Sequence, residues 1–156
     1  MQIRKATIDD APAVFALRRE AILAQCVGHY PKADMELWTS GTLSTTFAQR
    51  IADHFHVAVA DGQIVGTGMI DLATGKIDAV FVRPAYMGRG VGRAVMNHLE
   101  GMASTAGLRQ ILLESTLNAA PFYRALGFEG DSRVVYESSL GVSLTCVPMA
   151  KVLRNA

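Results

Sequence analysis

Between Val82 and Met96 the chain sets three features end to end: an apolar run stopped by Pro84, a turn carrying Gly88, Gly90 and Gly92, and the start of an amphipathic helix. Glycine lets a backbone turn tightly and come close to a ligand. The N–H groups of a first helical turn have no intrahelical acceptor, and together with the helix dipole they favour an anion. Arg89 and Arg93 add two cationic side chains beside those donors, which suits a multiply charged phosphate ester better than a lone carboxylate. The segment predicts a pyrophosphate socket at a strand-turn-helix junction.

Periodicity supports both flanks. Val91, Val95, Leu99 and Met102 recur at helical spacing with Arg93, Asn97, Glu100 and Ser104 opposite them, and Gly107 ends the pattern. The apolar, β-branched run from Ile77 to Val82 fits a buried strand that Pro84 stops. Spacing then separates the phosphate-binding families. A dinucleotide fingerprint needs G-x-G-x-x-G early in a βαβ unit, whereas this loop is G-x-G-x-G in mid-chain. A P-loop needs Gly-Lys-Ser or Gly-Lys-Thr, and neither follows Gly92.

The segment resembles the acetyl-coenzyme A loop of the GNAT superfamily (Gcn5-related N-acetyltransferases), Q/R-x-x-G-x-G/A after a V-x-P strand end. Here the strand end is Val82-Arg83-Pro84 and the loop positions are Met87, Gly90 and Gly92. Met87 departs from the usual Gln or Arg, and Arg89 offers charge in its place. A second stretch, Leu112 to Phe128, resembles the superfamily's closing strand and short helix, A-x-x-F-Y-x-x-x-G-F, with Ala119, Phe122, Tyr123, Gly127 and Phe128 on the pattern. Pro121 suits a first helical turn, Gly127 a left-handed residue after the last, and Phe128 can fold back on Tyr123 or Phe122. The motif's usual asparagine falls at Thr116, while Asn118 stands two residues late. One helix and one strand divide the two motifs, as in the superfamily.

The resemblance implies a single domain over residues 1–156, of α/β (α+β type) class, with a mixed, mostly antiparallel sheet of about seven strands and helices on both faces. It implies acetyl-CoA as cosubstrate, with Met87, Gly88, Arg89, Gly90, Val91, Gly92 and Arg93 around the pyrophosphate and the backbone of Val80, Phe81 and Val82 along the pantetheine arm. The family route is direct attack of an acceptor amine on the thioester, with Tyr123 as proton donor to the departing thiolate. The base is left open among Asp71, Asp78, Glu114 and water. His29, Tyr30 and Trp38 fall in the segment that shapes the acceptor side. The acceptor itself, a small molecule or a peptide amine, is not specified, and homodimer assembly stays open. Two other classes remain: a coenzyme A-binding sensor without turnover, and a binder of a different nucleotide.

Composition sets the outer limits. With 156 residues, half of them hydrophobic, the chain suffices for one compact domain. Fifteen basic and 14 acidic residues give a net charge of +1, so nothing favours nucleic acid or an anionic membrane as partner. The N-terminus lacks a signal-peptide core and no apolar run reaches membrane length, so a cytoplasmic protein is expected. Cys26 and Cys146 read as free thiols. His54 and His56 share a strand spacing a metal could use, but no third ligand accompanies them, and no metal is expected. The coarse layout is a strand at Gln2–Arg4, and a helix from about Asp9 to Gln25 with Val14, Leu17, Ala21 and Ala24 on one face. A polar connection holding Trp38 follows, then a short helix marked by Leu43, Phe47 and Ile51. Next come strands Phe55–Ala60 and Gln63–Asp71 about an Asp61-Gly62 turn, a strand Leu108–Glu114, and a hairpin of Arg133–Glu137 and Val142–Met149 around Ser138–Gly141. Pro148 favours an edge position.

Overall fold

The computed structural model describes residues 1–138 and 140–154. In chain order the elements are β1 (Gln2–Lys5), α1 (Ala11–Gln25), α2 (Lys32–Trp38), α3 (Thr45–His54), β2 (Phe55–Ala60), β3 (Gln63–Asp71), β4 (Lys76–Val82), α4 (Val91–Thr105), β5 (Gln110–Thr116), α5 (Ala120–Ala125), β6 (Val134–Glu137) and β7 (Ser143–Val152). They build one seven-stranded sheet in the order β1-β2-β3-β4-β5-β7-β6. Every neighbouring pair is antiparallel except β4 and β5. The predicted α/β class, with a mixed, mostly antiparallel sheet, is what the chain adopts.

The α4 face holds the larger core. Val91, Val95 and Leu99 of α4 meet Ile77, Ile111 and Leu113, with Tyr123 and Phe128 closing the end. Gly66 and Gly68 make this possible: a Cβ on Gly66 would stand 2.6 Å from Val91, and one on Gly68 2.7 Å from Val95. On the other face Val14 and Leu17 of α1 and Ile51 of α3 pack on Phe55, Val57 and Met69. Within α1, Ile22 joins the buried stripe and Ala24 is exposed, reversing the expected end of that face. The Asp61-Gly62 turn takes φ of 54° and 72°, the left-handed pair that a tight hairpin demands.

Four expectations are corrected. The connection holding Trp38 contains about two helical turns, α2 (Lys32–Trp38). Strand β5 starts at Gln110, not Leu108, because Leu108 belongs to the cap of α4: its N–H donates to Ala103 O at 3.0 Å while Gly107 N–H donates to Ser104 O at 3.0 Å. His54 ends α3 and only His56 lies on β2, so the two do not share a strand face. Strand β7 is internal, yet β6 covers it only from Ser143 to Cys146, so Pro148 sits on a stretch without that neighbour. Of the expected Ser138–Gly141 turn, Ser139 lies outside the described residues.

Two irregularities in β4 open the sheet. Parallel pairing of β4 with β5 is confined to Lys76 opposite Leu112, after which the strands part. The β3–β4 register also skips, from Thr67 opposite Phe81 to Met69 opposite Asp78, leaving an extra residue on β4. Ala79 within this bulge has φ 56°, unusual for a residue with a Cβ, and the buried Thr67 hydroxyl braces it by donating to Ala79 O at 2.8 Å.

Candidate active site

The turn into α4 presents a row of unused donors. Gly88 and Gly90 adopt φ of 75° and 83°, and none of the N–H groups from Gly88 to Arg93 donates to a carbonyl or side chain of the described residues. The first satisfied one is Ala94, at 3.0 Å from Gly90 O. Space in front of Gly88 and Gly90 is open. At Gly92 a Cβ would stand 3.0 Å from the Phe122 ring, so this glycine also admits Phe122 against the start of α4. The loop is held from behind: Tyr86 donates to Asp61 Oδ2 at 2.7 Å and accepts from Gln63 at 3.0 Å, and the Arg89 guanidinium lies 5.0 Å over the Tyr86 ring. Arg93 and Met87 are exposed, and Arg83 is taken up by Ile64 O and by Glu20 at 3.0 Å.

The parting of β4 and β5 frees backbone groups along β4. Arg83 N–H donates to Val65 O at 2.8 Å, so by strand alternation Phe81 also turns its backbone toward β3. Val80 and Val82 then face the opening. The Val82 carbonyl accepts from Gln25 Nε2 at 3.2 Å, a tie between α1 and the open edge. Of the three backbone positions expected along a pantetheine arm, Phe81 is thus engaged elsewhere.

Behind the opening is a cavity of about 380 Å³ whose wall includes Tyr123, Asp78, Glu114, Asn118, Tyr30 and Trp38. Tyr123 is buried, with Phe122 and Phe128 edge-on at centroid distances of 5.1 and 5.8 Å. Burial pushes its phenol well above the ordinary value, and the Asp78 carboxylate pushes the same way. Asp78, half-buried on β4 beside the buried Ile77, has its own pKa raised by burial against the opposing pull of Lys76 and Arg50.

The three candidate carboxylates part company here. Asp71 does not line this cavity; it ends β3 and accepts the Ala73 N–H at 2.9 Å in the hairpin turn. Glu114 is bound to Lys76 at 3.1 Å and takes the Cys146 thiol at 3.8 Å. Asp78 has no ion pair or hydrogen bond through its side chain among the described residues.

On the α1 side, Tyr30 is buried, donates to Thr145 O and accepts the Leu117 N–H at 3.0 Å, so it ties the turn after β5 to β7 while lining the cavity. His29 is exposed and off the wall. Thr116 and Asn118 both line it, and Asn118 Oδ1 is buried without a donor. Wall residues not singled out in the sequence include Gln25, Arg50, Lys76, Ser115, Tyr136 and Arg18. Arg18 left a trace, since it sits four residues from both Val14 and Ile22 on the buried stripe of α1. Cys26 and Cys146 are unpaired and buried, and burial lifts the Cys26 thiol to about 11. Among the described residues no three metal-ligating side chains converge, and the His56 ring instead lies 5.0 Å from that of His98.

Comparison with known proteins agrees with this geometry. Residues 26–153 match the family model described as acetyltransferase (GNAT) domain. The aminoglycoside N(6')-acetyltransferase type 1 of Stenotrophomonas maltophilia is 31% identical over 148 residues, spanning 86% of this chain and 90% of that protein. The glucosamine 6-phosphate N-acetyltransferase of Trypanosoma brucei brucei is 32% identical over 81 residues, 46% of this chain and 55% of that one. A GCN5-related N-acetyltransferase structure from Rhodopseudomonas palustris superposes with a TM-score of 0.90 at 25% identity over 97% of this chain and 95% of the other. The PaiA N-acetyltransferase of Thermoplasma acidophilum, solved with coenzyme A, shares the fold at a TM-score of 0.77 and 21% identity over 97% and 98% of the two chains. The chain belongs to the GNAT family of N-acetyltransferases.

Proposed function

We propose that this single domain, residues 1–156, transfers an acetyl group from acetyl-CoA to the amine of a small acceptor by direct attack. The observation that carries this is the row of unused N–H donors from Gly88 to Arg93 beside the parted strands β4 and β5. Those donors suit a pyrophosphate, and the backbones of Val80 and Val82 suit a pantetheine arm running toward the cavity. Acetyl-CoA brings the thioester that the amine attacks.

The chain's own groups divide the proton work. Asp78 takes the proton from the attacking amine, because its raised pKa brings it nearer the working pH than a solvated carboxylate and no side chain among the described residues is in ion-pair or hydrogen-bond contact with it. Glu114 is a poorer base because Lys76 holds it. Tyr123 serves the departing sulfur. Its phenol stays protonated at neutral pH, and with a pKa above that of a thiol, ordinarily about 8.5, it stabilises the thiolate by donating a hydrogen bond rather than by surrendering its proton.

The test has two stages. Acetyl-CoA is expected to raise the melting temperature where NAD and ATP do not, and a panel of amines should then release free coenzyme A thiol in an amine-dependent way. No stabilisation by acetyl-CoA would overturn the loop assignment. Stabilisation without thiol release for any amine would favour the binding-sensor alternative.

A further inference from the structure

We propose that the acceptor carries an anionic oxygen group, a carboxylate or a phosphate, and that Arg18 receives it. This rests on the reading of the cavity as an amine acetylation site and names the acceptor's class. Arg18 projects from α1 into the cavity wall, half-buried, with its guanidinium 5.2 Å from the Trp38 ring centroid. Among the described residues it makes no ion pair and no hydrogen bond. The contrast within the same chain is direct: Arg4 is held by Asp10 at 2.7 Å and Arg83 by Glu20 at 3.0 Å. A guanidinium offers five donors in a fixed fork, and leaving them unmatched while water is being removed is costly. Desolvation accordingly pulls the Arg18 pKa down. The cation–π contact with Trp38 holds the guanidinium over the ring, which leaves its N–H donors available for hydrogen bonds to a carboxylate or phosphate.

The charge balance of the wall points the same way. Its cations are Arg18, Arg50 and Lys76, and its carboxylates are Asp78 and Glu114. Lys76 and Glu114 satisfy each other at 3.1 Å. What remains is two arginines facing one carboxylate, complementary to an acceptor that joins an amine to an anion and repellent to a polycation. The donor row for the coenzyme phosphates runs into α4, whereas Arg18 stands on α1, which packs on the face of the sheet opposite α4.

The experiment compares matched acceptors with acetyl-CoA saturating. One arm sets free amino acids against the same amino acids as carboxamides, a second sets glucosamine 6-phosphate against glucosamine, and kanamycin serves as the cationic acceptor. The wild type should favour the anionic member of at least one pair by tenfold or more in kcat/KM, and the pair that does so tells carboxylate from phosphate. Arg18→Gln should lose about 10–100-fold on that anionic acceptor while changing less than about threefold on its neutral partner. The same compounds added to the coenzyme A-loaded protein give a second readout by melting temperature, independent of turnover. Equal losses on charged and neutral acceptors, or kanamycin as the best acceptor, would overturn the assignment of Arg18. Failure of acetyl-CoA itself to stabilise the protein would instead remove the acetyltransfer reading beneath it.

Discussion

Phe128 is bound to Tyr123 twice: its N–H donates to the Tyr123 carbonyl at 3.1 Å, and its ring meets the Tyr123 ring edge-on at a centroid distance of 5.8 Å. Gly127, at φ 96°, makes the reversal and gives its N–H to Arg124 O at 3.0 Å. This is a Schellman cap with its usual hydrophobic contact, and it fixes the ring of the proposed catalytic tyrosine from the residue that ends the helix. The site's precision therefore depends on a local motif.

That anchoring lets the hydroxyl be tested apart from the ring. Tyr123→Phe keeps both aromatic contacts and the cap, so the melting temperature and the affinity for acetyl-CoA should stay near wild type. Turnover should fall about 10²-fold, the loss of one donor aimed at developing charge. An unchanged rate would reduce Tyr123 to a packing residue.

The seat of α4 gives a paired test. A Cβ on Gly68 would lie 2.7 Å from Val95 and 2.9 Å from Leu99, so Gly68→Ala should destabilise by about 1–3 kcal/mol and weaken acetyl-CoA binding as the helix and its loop shift. Gly101, exposed on the same helix with nothing within 4 Å of an added Cβ, should gain about 0.5–1 kcal/mol on change to Ala. Denaturant unfolding of both variants measures the two signs. A neutral or stabilised Gly68→Ala would mean that α4 is not seated on β3 as described.

The parts legible in sequence were those fixed by short-range rules. The Asp61-Gly62 hairpin, the glycine turn into α4 and the Gly127-Phe128 cap each follow from backbone demands of two or three adjacent residues. The bulge at Ala79 was not legible, because it depends on Thr67 across the ladder and puts a left-handed backbone at a residue that normally avoids it. Choosing among Asp71, Asp78 and Glu114 was beyond the sequence for the same reason: one register step in a strand sends a side chain to the other face. Free backbone along β4 was expected only through the family resemblance, which runs a pantetheine arm along Val80, Phe81 and Val82. Arg18 was passed over because a charged residue on an amphipathic helix reads as solvated until its stripe and its neighbour Trp38 are placed in space.

At the other end of the sheet, Asp10 accepts from both Arg4 and the Thr7 N–H, and the Arg4 guanidinium, held at 2.7 Å, lowers its pKa from 3.8 to about 2. A depressed carboxylate stabilises the fold above its unfolded pKa and loses that contribution as pH falls through the folded value. Discounted for the partial exposure of Arg4, the contribution is about 1–2 kcal/mol. Asp10→Asn should be less stable than wild type by that amount at pH 7, and the difference should shrink between about pH 4 and pH 2. Chemical unfolding across that range measures it. A gap that did not close with acid would assign the effect to the geometry of the turn and not to charge.

Asp78 provides the opposite sign and joins stability to chemistry. Burial raises its pKa in the folded chain, so the neutral form is favoured there, and its stabilising effect is present below the ordinary carboxylate pKa and lost as pH rises through the folded one. Asp78→Asn, neutral at every pH, should therefore melt above wild type at pH 7, with the gap closing as wild-type Asp78 takes up its proton in acid. Catalysis should move the other way. As the proposed base, Asp78 must be ionised, so wild-type kcat/KM should decline as pH falls through its raised pKa, and Asp78→Asn should lose at least about 10²-fold at neutral pH together with that acid limb. The amine's own ionisation should remain in both profiles as a rise toward alkaline pH. A variant that melts higher but keeps full activity and the wild-type acid limb would leave Asp78 as a strained carboxylate only and hand proton removal to water.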